Sequence, residues 1–177
     1  RLKKPVVLNE AELQLGELIL GNDPDLAAWK KDPSIVEKGK DLIRFINRAY
    51  DHKLLSVGFG VASIRISADE FLVTPEEGDL SELVPDDLVM VKMDSVEKDK
   101  KVDGLVNLHT AIYFEHPEIN VIFCFQPIAA MAFILSRVEI DFRTIPETVV
   151  VLMKLVKISN SAAYEDTAIA AKLIGKL

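Results

Sequence analysis

The side chains able to carry chemistry gather in one stretch, where a helical pattern runs into an apolar strand pattern. Asp103 precedes the helix, His109 lies within it and Cys124 lies on the strand, with Glu147 further along the chain. Carboxylates, imidazoles and thiols supply the bases and nucleophiles of enzymes. These four residues are therefore the candidates for a catalytic base or nucleophile. The sequence shows neither a base beside Cys124 nor an electropositive setting that would activate its thiol.

The same part of the chain also has structural interpretations. Cys124 stands between Phe123 and Phe125, so its side chain is expected on the opposite face of the strand, as an inert buried thiol. His116 stands at the predicted helix end, where a cation meets the helix dipole favourably. Glu76 lies in an acidic turn that lacks the ligand spacing of a calcium loop, which favours a solvated surface turn.

Composition points to one globular domain and argues against several classes of function. The chain has 177 residues, 49% hydrophobic and 28% charged, which suits a single domain with a real core. The net charge of −7 argues against a general nucleic-acid binder, which would need a basic face. No run reaches the ~18 apolar residues of a membrane-spanning helix, and Cys124 is the single cysteine. We therefore expect no transmembrane segment and a cytoplasmic location.

Helical signals fill the chain between residues 9 and 52. They include a short helix around Trp29 and a longer helix that begins with Ser34 as its N-cap. From residue 56 the period changes to alternating and β-branched residues. Strands over 57–66 and 71–75 separated by a polar turn predict a hairpin.

A second group of elements follows the hairpin. The pattern predicts a strand over 88–93, a charged turn without an apolar anchor over 94–101, a helix from Val106, a strand over 121–125, a helix over 128–137 and a terminal helix over 162–177. Helices before and after a set of strands cover both faces of a sheet. We therefore expect an α/β fold, a three-layer α/β/α domain with a central, mostly antiparallel sheet, formed by residues 1–177.

Five short segments between about residues 35 and 150 occur in an order that is typical of one family. They are Gly60-Val-Ala-Ser-Ile-Arg65, Phe71-Leu-Val-Thr74-Pro75 with Gly78, Leu83-Val-Pro85-Asp-Asp87-Leu88-Val89, Leu108-His109-Thr-Ala-Ile112-Tyr113, and His116-Pro117. In these segments the chain resembles the class II aldolase/adducin family, whose N-terminal head domain has this architecture. The resemblance implies that His109 is a buried, hydrogen-bonded helix residue. Ser63 and Arg65 are either site residues or structural, with Arg65 paired to a carboxylate.

The resemblance also implies a chemistry and the residues for it. Active members of the family are metal-dependent aldolases or epimerases of small phosphorylated sugars. They hold zinc or another divalent ion through a His-x-His pair and a later histidine, and a glutamate acts as acid and base. Here the His-x-His pair falls on Phe123 and Phe125, and the glutamate falls on Leu105. None of these three side chains binds a metal or moves a proton.

Other positions of the implied cleft depart from the family as well. Val61 replaces an asparagine that contacts phosphate, Glu76-Glu77 replaces a Ser-Gly pair, and Asp103-Gly104 replaces a Ser-Ser pair. The family's C-terminal Asn-His-Gly segment, with its third ligand, has no counterpart in this sequence. The inherited cleft would be formed by Val61, Ser63, Thr74, Glu76, Leu105, Phe123 and Phe125.

Three hypotheses stay open at this point. In the first, the chain is a catalytically degenerate family member without a metal cofactor, which acts by association as a homo-oligomer or with another protein. In the second, it is an enzyme: a sugar-phosphate lyase with zinc, or an altered enzyme for a small non-phosphorylated carbonyl compound. The altered enzyme would need two of the four candidate bases within about 3–4 Å of each other. In the third, it is a regulatory module of a longer protein.

Overall fold

A six-stranded mixed sheet organises the structure, a computed structural model that describes residues 21–55, 60–92, 95–136, 141 and 167–174. Its strands are β1 (Gly21–Asp23), β2 (Val61–Arg65), β3 (Glu70–Val73), β4 (Val89–Lys92), β5 (Ser95–Glu97) and β6 (Val121–Cys124). They lie side by side in the order β1-β5-β4-β3-β2-β6. Because β1–β5 is parallel and the other four pairings are antiparallel, the described sheet is mostly antiparallel.

The predicted hairpin forms the middle of the sheet. β2 and β3 pair antiparallel, with Ser63 opposite Val73 and Arg65 opposite Phe71. The β-branched and aromatic side chains of these strands suit a pleated, half-buried surface. β4 pairs antiparallel with β3 and is buried over its first three residues, so the predicted strand over 88–93 is confirmed within the described residues.

A strand lies where the sequence predicts a charged turn. Residues 94–101 are expected to lack an apolar anchor, yet Ser95–Glu97 forms β5 and pairs with β4. Val96 is 6% exposed and Glu97 is 3% exposed. The prediction is wrong because one apolar side chain anchors this short strand, and because the carboxylate of Glu97 is buried among hydrogen-bond donors.

Glu97 is held at the β1–β5 edge by three donors. Its carboxylate accepts hydrogen bonds from the Trp29 indole N–H at 3.0 Å, from Lys30 Nζ at 2.9 Å and, more weakly, from the Met90 N–H at 3.4 Å. Burial raises the pKa of Glu97, but these donors and the Lys30 charge outweigh burial and leave the pKa below its usual value. Trp29 belongs to a 3-10 helix, Asp25–Lys31, that packs against β4 and β5.

Helix α1, Pro33–Asp51, covers one face of the sheet. Its N-cap is Asp32, whose carboxylate accepts a hydrogen bond from the Ser34 N–H at 2.8 Å. The prediction of Ser34 as the cap is therefore wrong. Proline is favoured in the first turn, where its missing N–H needs no partner, and the cap moves to the residue before it. The buried side of α1 carries Leu42 and Ile46 at i,i+4 spacing.

Helices also cover the opposite face of the sheet. α2, Val106–Glu115, lies on this face, and α3, Ile128–Ser136, follows β6 in the chain. α2 packs against α4, Thr167–Ile174, through a small apolar cluster. Nε2–H of His116, at the C-terminal end of α2, donates a hydrogen bond to the Ala171 carbonyl of α4 at 3.0 Å. Helices on both faces confirm the predicted three-layer α/β/α fold.

Parts of the prediction concern residues outside the description. The predicted helix that starts near residue 9 and the candidate base Glu147 are both among them. Of the predicted terminal helix over 162–177, the described part is the helix α4. Within the described ranges, no helix combines the length and the apolar character that crossing a membrane requires.

Candidate functional site

Strand β6 divides the predicted site residues between the two faces of the sheet. In its antiparallel pairing with β2, Cys124 lies opposite Val61, and Phe123 lies opposite Ala62. Because side chains alternate along a strand, directly opposed residues share one face. Cys124 and Val61 therefore face α2, as the alternation predicts, whereas Phe123 and Ala62 face α1. The apolar clusters on the two faces contain these residues accordingly.

On the α2 face, four side chains form a continuous series of hydrogen bonds, here called the polar chain. Ser63 Oγ lies 2.8 Å from the Tyr113 hydroxyl and 2.8 Å from His109 Nδ1. His109 Nε2 lies 3.2 Å from Cys124 Sγ. His109 and Tyr113 are one turn apart on α2, so their side chains leave the same side of the helix. Ser63 and His109 are 0% exposed, which places the polar chain inside the core.

The geometry favours one direction for the protons of the polar chain. A buried O–H without an acceptor is unfavourable. If Tyr113 donates to Ser63, then Ser63 donates to His109 Nδ1, and the His109 Nε2–H donates to the sulfur of Cys124. The opposite direction would leave the tyrosine O–H without an acceptor in the polar chain, whereas the assigned direction leaves only the thiol S–H, a weaker donor. We therefore assign the Nε2–H tautomer to His109 from this hydrogen-bond pattern.

Burial keeps the polar chain uncharged near neutral pH. It lowers the pKa of His109 to about 3 and raises the pKa of Tyr113 to about 12. It also raises the pKa of the Cys124 thiol to about 11, with a further contribution from the negative charge of Asp103. A protonated thiol beside a neutral imidazole is a poor nucleophile, because the thiolate is the reactive form.

Arg65 fixes the C-terminal end of α2 and does not serve the predicted carboxylate. Its Nη2 donates to the carbonyl oxygens of Tyr113 and His116 at 2.7 and 3.1 Å, and its Nε donates to that of Ile119 at 2.8 Å. The guanidinium carbon also lies 4.5 Å from the centre of the Tyr113 ring. The free carbonyls and the dipole of a helix C-terminus attract a cation, so the predicted carboxylate pairing is wrong.

The N-terminal end of α2 gathers another part of the candidate set. Asp103 Oδ1 accepts a hydrogen bond from the Leu105 N–H at 2.8 Å, a local turn contact. Leu105 packs, half-buried, against the same apolar cluster as Cys124. Asp103, Glu76 and Asn107 line an open depression of about 360 Å³, and the side-chain oxygen of Asn107 is buried without a hydrogen-bond partner. Of the predicted cleft residues, Glu76 therefore lines this depression, together with the candidate base Asp103.

On the α1 face, Phe123 and Phe125 form part of an open space that we call the phenylalanine groove. Their ring centres are 5.0 Å apart, and the ring planes are inclined at 46°. The groove has a volume of about 270 Å³, and α1 and the turn after it supply the remaining lining residues Phe45, Arg48, Ala49, His52 and Leu54. Phe45 is 55% exposed and Leu54 is 40% exposed. An apolar surface therefore meets solvent at this place.

The predicted cleft is divided by the sheet. Ser63 and Leu105 lie on the α2 side, whereas Phe123 and Phe125 lie on the α1 side. Metal ligands and the acid/base residue that serves the same reaction have to point into one space. Phe123 and Phe125 therefore do not share a site with Leu105. Side chains alternate between the two faces of a sheet along each strand. Phe123 and Cys124 are neighbours in the sequence, so they point to opposite faces.

Two of the four candidate bases come together. His109 and Cys124 lie 3.2 Å apart, and Asp103 lies near enough to Cys124 for its charge to act on the thiol. Glu147 lies outside the described residues. Within the part of the chain that the structure describes, no group of three or more His, Cys, Asp or Glu side chains is arranged to hold a metal ion.

One member of the polar chain is absent from the predicted set, and one predicted residue is structural. Tyr113 completes the polar chain, and its i+4 spacing from His109 is the signal that could have identified it. Thr74, predicted to line the cleft, is 1% exposed, and its hydroxyl oxygen accepts a hydrogen bond from the Ala62 N–H at 3.2 Å. Thr74 thus joins the end of β3 to β2.

Comparison with known sequences gives one match to a family. The sequence model of the class II aldolase and adducin N-terminal domain matches residues 40–177, which is more than half of the chain. Among curated protein sequences, none matches the chain. The family match therefore stands on a domain model and includes the segments that carry the polar chain.

Solved structures with a similar fold include two aldolases and one protein described as an aldolase, epimerase or decarboxylase. L-fuculose-1-phosphate aldolase from Thermus thermophilus has a TM-score of 0.62 at 18% identity, over 78% of this chain and 72% of that one. L-fuculose 1-phosphate aldolase from Glaciozyma antarctica has a TM-score of 0.47 at 21% identity, over 56% and 46%. YgbL from Escherichia coli has a TM-score of 0.49 at 19% identity, over 52% and 45%. The matched part spans less than half of the last two proteins, and the first likeness concerns the fold alone.

Proposed function

Because the chain belongs to the family of class II aldolase and adducin N-terminal domains, we propose that it keeps the family scaffold, lacks sugar-phosphate lyase chemistry and acts by association. One observation carries the loss of chemistry: Leu105 and Cys124 pack against the same apolar cluster. Leu105 stands at the position where the resemblance implies the acid/base glutamate. A metal ligand on β6 that serves the same reaction would have to face Leu105. By this argument that position is Cys124, one residue from both Phe123 and Phe125.

The residues that face each other there do not suit a divalent metal. Leu105 offers no lone pair, and the neighbouring pair of Cys124 and His109, 3.2 Å apart, supplies two donors. Zinc needs deprotonated sulfur, imidazole nitrogen or carboxylate oxygen, in a set of three or four. Asp103 is engaged with the backbone of Leu105, and no further donor joins the set among the described residues. The donor set therefore supports a scaffold without a zinc site.

Association is supported by the apolar surface at the β6 end of the sheet. Val121 of β6 is 39% exposed, and on α3 Ile128, Phe133 and Leu135 are 71%, 44% and 77% exposed. Large apolar side chains that stay exposed on β6 and on the helix after it favour binding of another protein.

The backbone of β6 offers a way to associate. The Arg65 N–H bonds to the Asn120 carbonyl, and the Ala62 carbonyl accepts the Thr74 N–H, so alternate residues of β2 serve β6 and β3. The N–H and C=O groups of Val121 therefore point away from β2, along the outer edge of the described sheet. Such an edge pairs readily with a strand of another molecule, and β6 carries no charge that would oppose this. A second copy of the chain is the partner we propose.

Zinc content, lyase activity and mass test these two parts of the proposal. The purified protein, incubated with excess zinc and dialysed, should hold well under one zinc per chain and should not cleave L-fuculose 1-phosphate. Light scattering should give a mass above the 19.7 kDa of one chain. Val121→Lys should reduce the mass to that of a monomer, because a charge at the edge opposes strand pairing. The matched control is Val84→Lys, at a 53% exposed valine away from β6.

Stoichiometric zinc together with cleavage of the sugar phosphate would overturn the loss of chemistry. A wild-type mass equal to one chain would overturn the association. The two results are independent, so either part of the proposal can fail while the other stands.

A second candidate function is favoured by the contact between His109 and Cys124. Their separation of 3.2 Å meets the distance that an altered enzyme on this scaffold requires. Burial argues against it, because it lowers the pKa of His109 and raises that of Cys124. This pairing keeps both groups neutral, whereas a catalytic thiolate–imidazolium pair needs the opposite shifts. Rapid alkylation of Cys124 at neutral pH would support the enzyme over the scaffold.

A further inference from the structure

The phenylalanine groove lies on the face of the sheet that the polar chain does not use. Phe123 and Phe125 form one wall, and Phe45 and Leu54 stand on the α1 side. Phe123 and Phe125 also pack against the main core cluster, so this wall is backed by well-packed side chains. The groove is thus a concave apolar surface with one firm wall, as small-molecule sites are.

The rim of the groove carries the positive charge of Arg48. His52, the residue that follows α1, lines the groove four positions after Arg48. No carboxylate is among the described residues that line the groove, although the chain carries a net charge of −7. Asp51 lies on the same turn of α1 but is not part of the lining. A locally positive rim on an acidic protein selects for an anionic ligand.

The volume sets the size of that ligand. An apolar cavity of about 150 Å³ accepts benzene, and the groove holds about 270 Å³. This space suits one aromatic ring with a short chain, and it falls below the range of most drug-sized pockets. Two phenylalanine rings inclined at 46° also suit a third ring, because aromatic rings prefer tilted and offset contacts.

We propose that the phenylalanine groove binds a small aromatic carboxylate. The ring of the ligand lies against Phe123 and Phe125, and its carboxylate reaches the guanidinium of Arg48 at the rim. The Arg48 fork suits a carboxylate because it donates two parallel hydrogen bonds. His52 supplies a further polar contact at the same rim. This site lies across the sheet from the family-like position at Cys124, so it rests neither on the loss of lyase chemistry nor on association.

Matched acid and amide probes test the proposal on the full chain. 3-Phenylpropionate and 3-phenylpropionamide have the same ring, chain and number of non-hydrogen atoms, and they differ in charge. A ligand of about eleven such atoms should bind with a Kd in the millimolar range. The amide should bind about 3-fold to 5-fold more weakly, because a solvent-exposed ion pair adds a modest increment. Chemical-shift titration of the labelled protein by NMR measures both constants.

Substitutions separate the rim from the wall of the groove. Arg48→Gln should bring the acid and the amide to equal affinity. The matched control is Arg44→Gln, one turn earlier on α1, where the arginine pairs with Asp41 and does not line the groove; it should leave the ratio unchanged. Phe125→Ala should weaken both probes together, because it removes apolar contact area and no charge.

Each alternative outcome overturns the proposal in a distinct way. Equal affinity of acid and amide for the wild type would mean that the rim selects no anion. Shifts that rise linearly with the acid, without curvature up to about 100 mM, would mean that the groove is not a ligand site. Binding that disappears as protein concentration and mass rise together would mean that a second copy occupies the groove. Zinc content and lyase activity do not enter any of these outcomes.

Discussion

The side chains on the two faces of strand β6 differ in how completely they are paired and buried within the protein. On the α2 face, hydrogen bonds run along the polar chain from Tyr113 to Cys124. Its two central members, Ser63 and His109, have no exposed surface. On the α1 face, one residue along the same strand, Phe123 and Phe125 border a space of about 270 Å³. Polar side chains in this scaffold thus serve to join a helix to a sheet, while the apolar face remains available to a ligand.

The closed face gains specificity from its polar chain. His109 connects Ser63 of β2 with Cys124 of β6, so α2 is bound to two neighbouring strands at a defined position along both. Apolar packing alone would tolerate small shifts of the helix, whereas a fully satisfied hydrogen-bond chain does not. The open face has no such constraint, and its side chains can adjust to what they bind.

The largest expected effect comes from breaking the polar chain. His109→Ala removes a fully buried imidazole and leaves the Ser63 hydroxyl and the Cys124 thiol without this partner. The cavity and the unpaired polar groups together should lower the free energy of unfolding by about 3–4 kcal/mol. Urea unfolding followed by circular dichroism measures the change.

The matched substitution on the open face is Phe125→Ala. It should lower the free energy of unfolding by roughly 1 kcal/mol, because the ring is only partly buried and the vacated space opens to solvent. Equal losses for the two variants would contradict the contrast between a closed and an open face.

The next effect concerns the reactivity of Cys124. Burial raises its pKa to about 11 from a usual value of 9.0, so the thiolate fraction near neutral pH falls by about two orders of magnitude. Alkylation by iodoacetamide at pH 7.5 should be about 100-fold slower in the folded protein than in urea. Since thiolate forms as pH rises, the folded-state rate should grow about tenfold per pH unit up to pH 10. Mass spectrometry follows the adduct.

A rate at pH 7.5 equal to that in urea would show that the closed face opens readily or that the thiol is activated. Circular dichroism of the same sample separates the two explanations. A native spectrum together with the fast rate would favour the altered enzyme, whereas a loss of signal would favour unfolding.

Mild acid is expected to lower the free energy of unfolding by about 2 kcal/mol through His109. Folded His109 stays neutral down to a pKa of about 3, whereas in the unfolded chain an imidazole binds a proton below about pH 6.5. The unfolded state therefore holds more protons between these values, and stability falls as pH drops, at ~1.4 kcal/mol per unit well below pH 6.5. Urea unfolding at pH 7 and pH 5 measures the slope.

The His109→Gln variant removes this contribution and keeps the carboxylates that also titrate. Its loss of stability between pH 7 and pH 5 should be smaller than that of the wild type by about 2 kcal/mol. Identical losses would mean that His109 is protonated in the folded state, and the assigned direction of the polar chain would then be wrong.

Much of the fold could be predicted from residue patterns because they act locally. The helix from Val106 and the strand at Val121 appear where apolar periodicity places them, and the three layers follow from the order of elements. The local pattern does not predict strand β5, because the burial of Glu97 depends on hydrogen bonds from Trp29 and Lys30, which are distant in the sequence. A charged residue is easily taken as solvated when its partners lie far away in the sequence.

The candidate site could be predicted only in part, for a different reason. The stretch containing His109 and Cys124 was identified from residue types, but their contact depends on how α2 lies against β6. The cleft assigned to Phe123 and Phe125 depends on which face of the strand a family position occupies, and side chains change face with every residue. Periodicity along one strand does not reveal which of its two faces meets a particular helix.

The hydrogen bond between Trp29 and Glu97 has a consequence for the folding rate. These residues are 68 positions apart, so their contact closes a long loop, whereas the hairpin of β2 and β3 closes a short one. Contacts of large sequence separation are slow to form because loop-closure entropy must be overcome first. If this contact forms after the rate-limiting step, changes at Trp29 will speed unfolding and leave folding nearly unaltered. The contact between Trp29 and Glu97 would then set the lifetime of the native state.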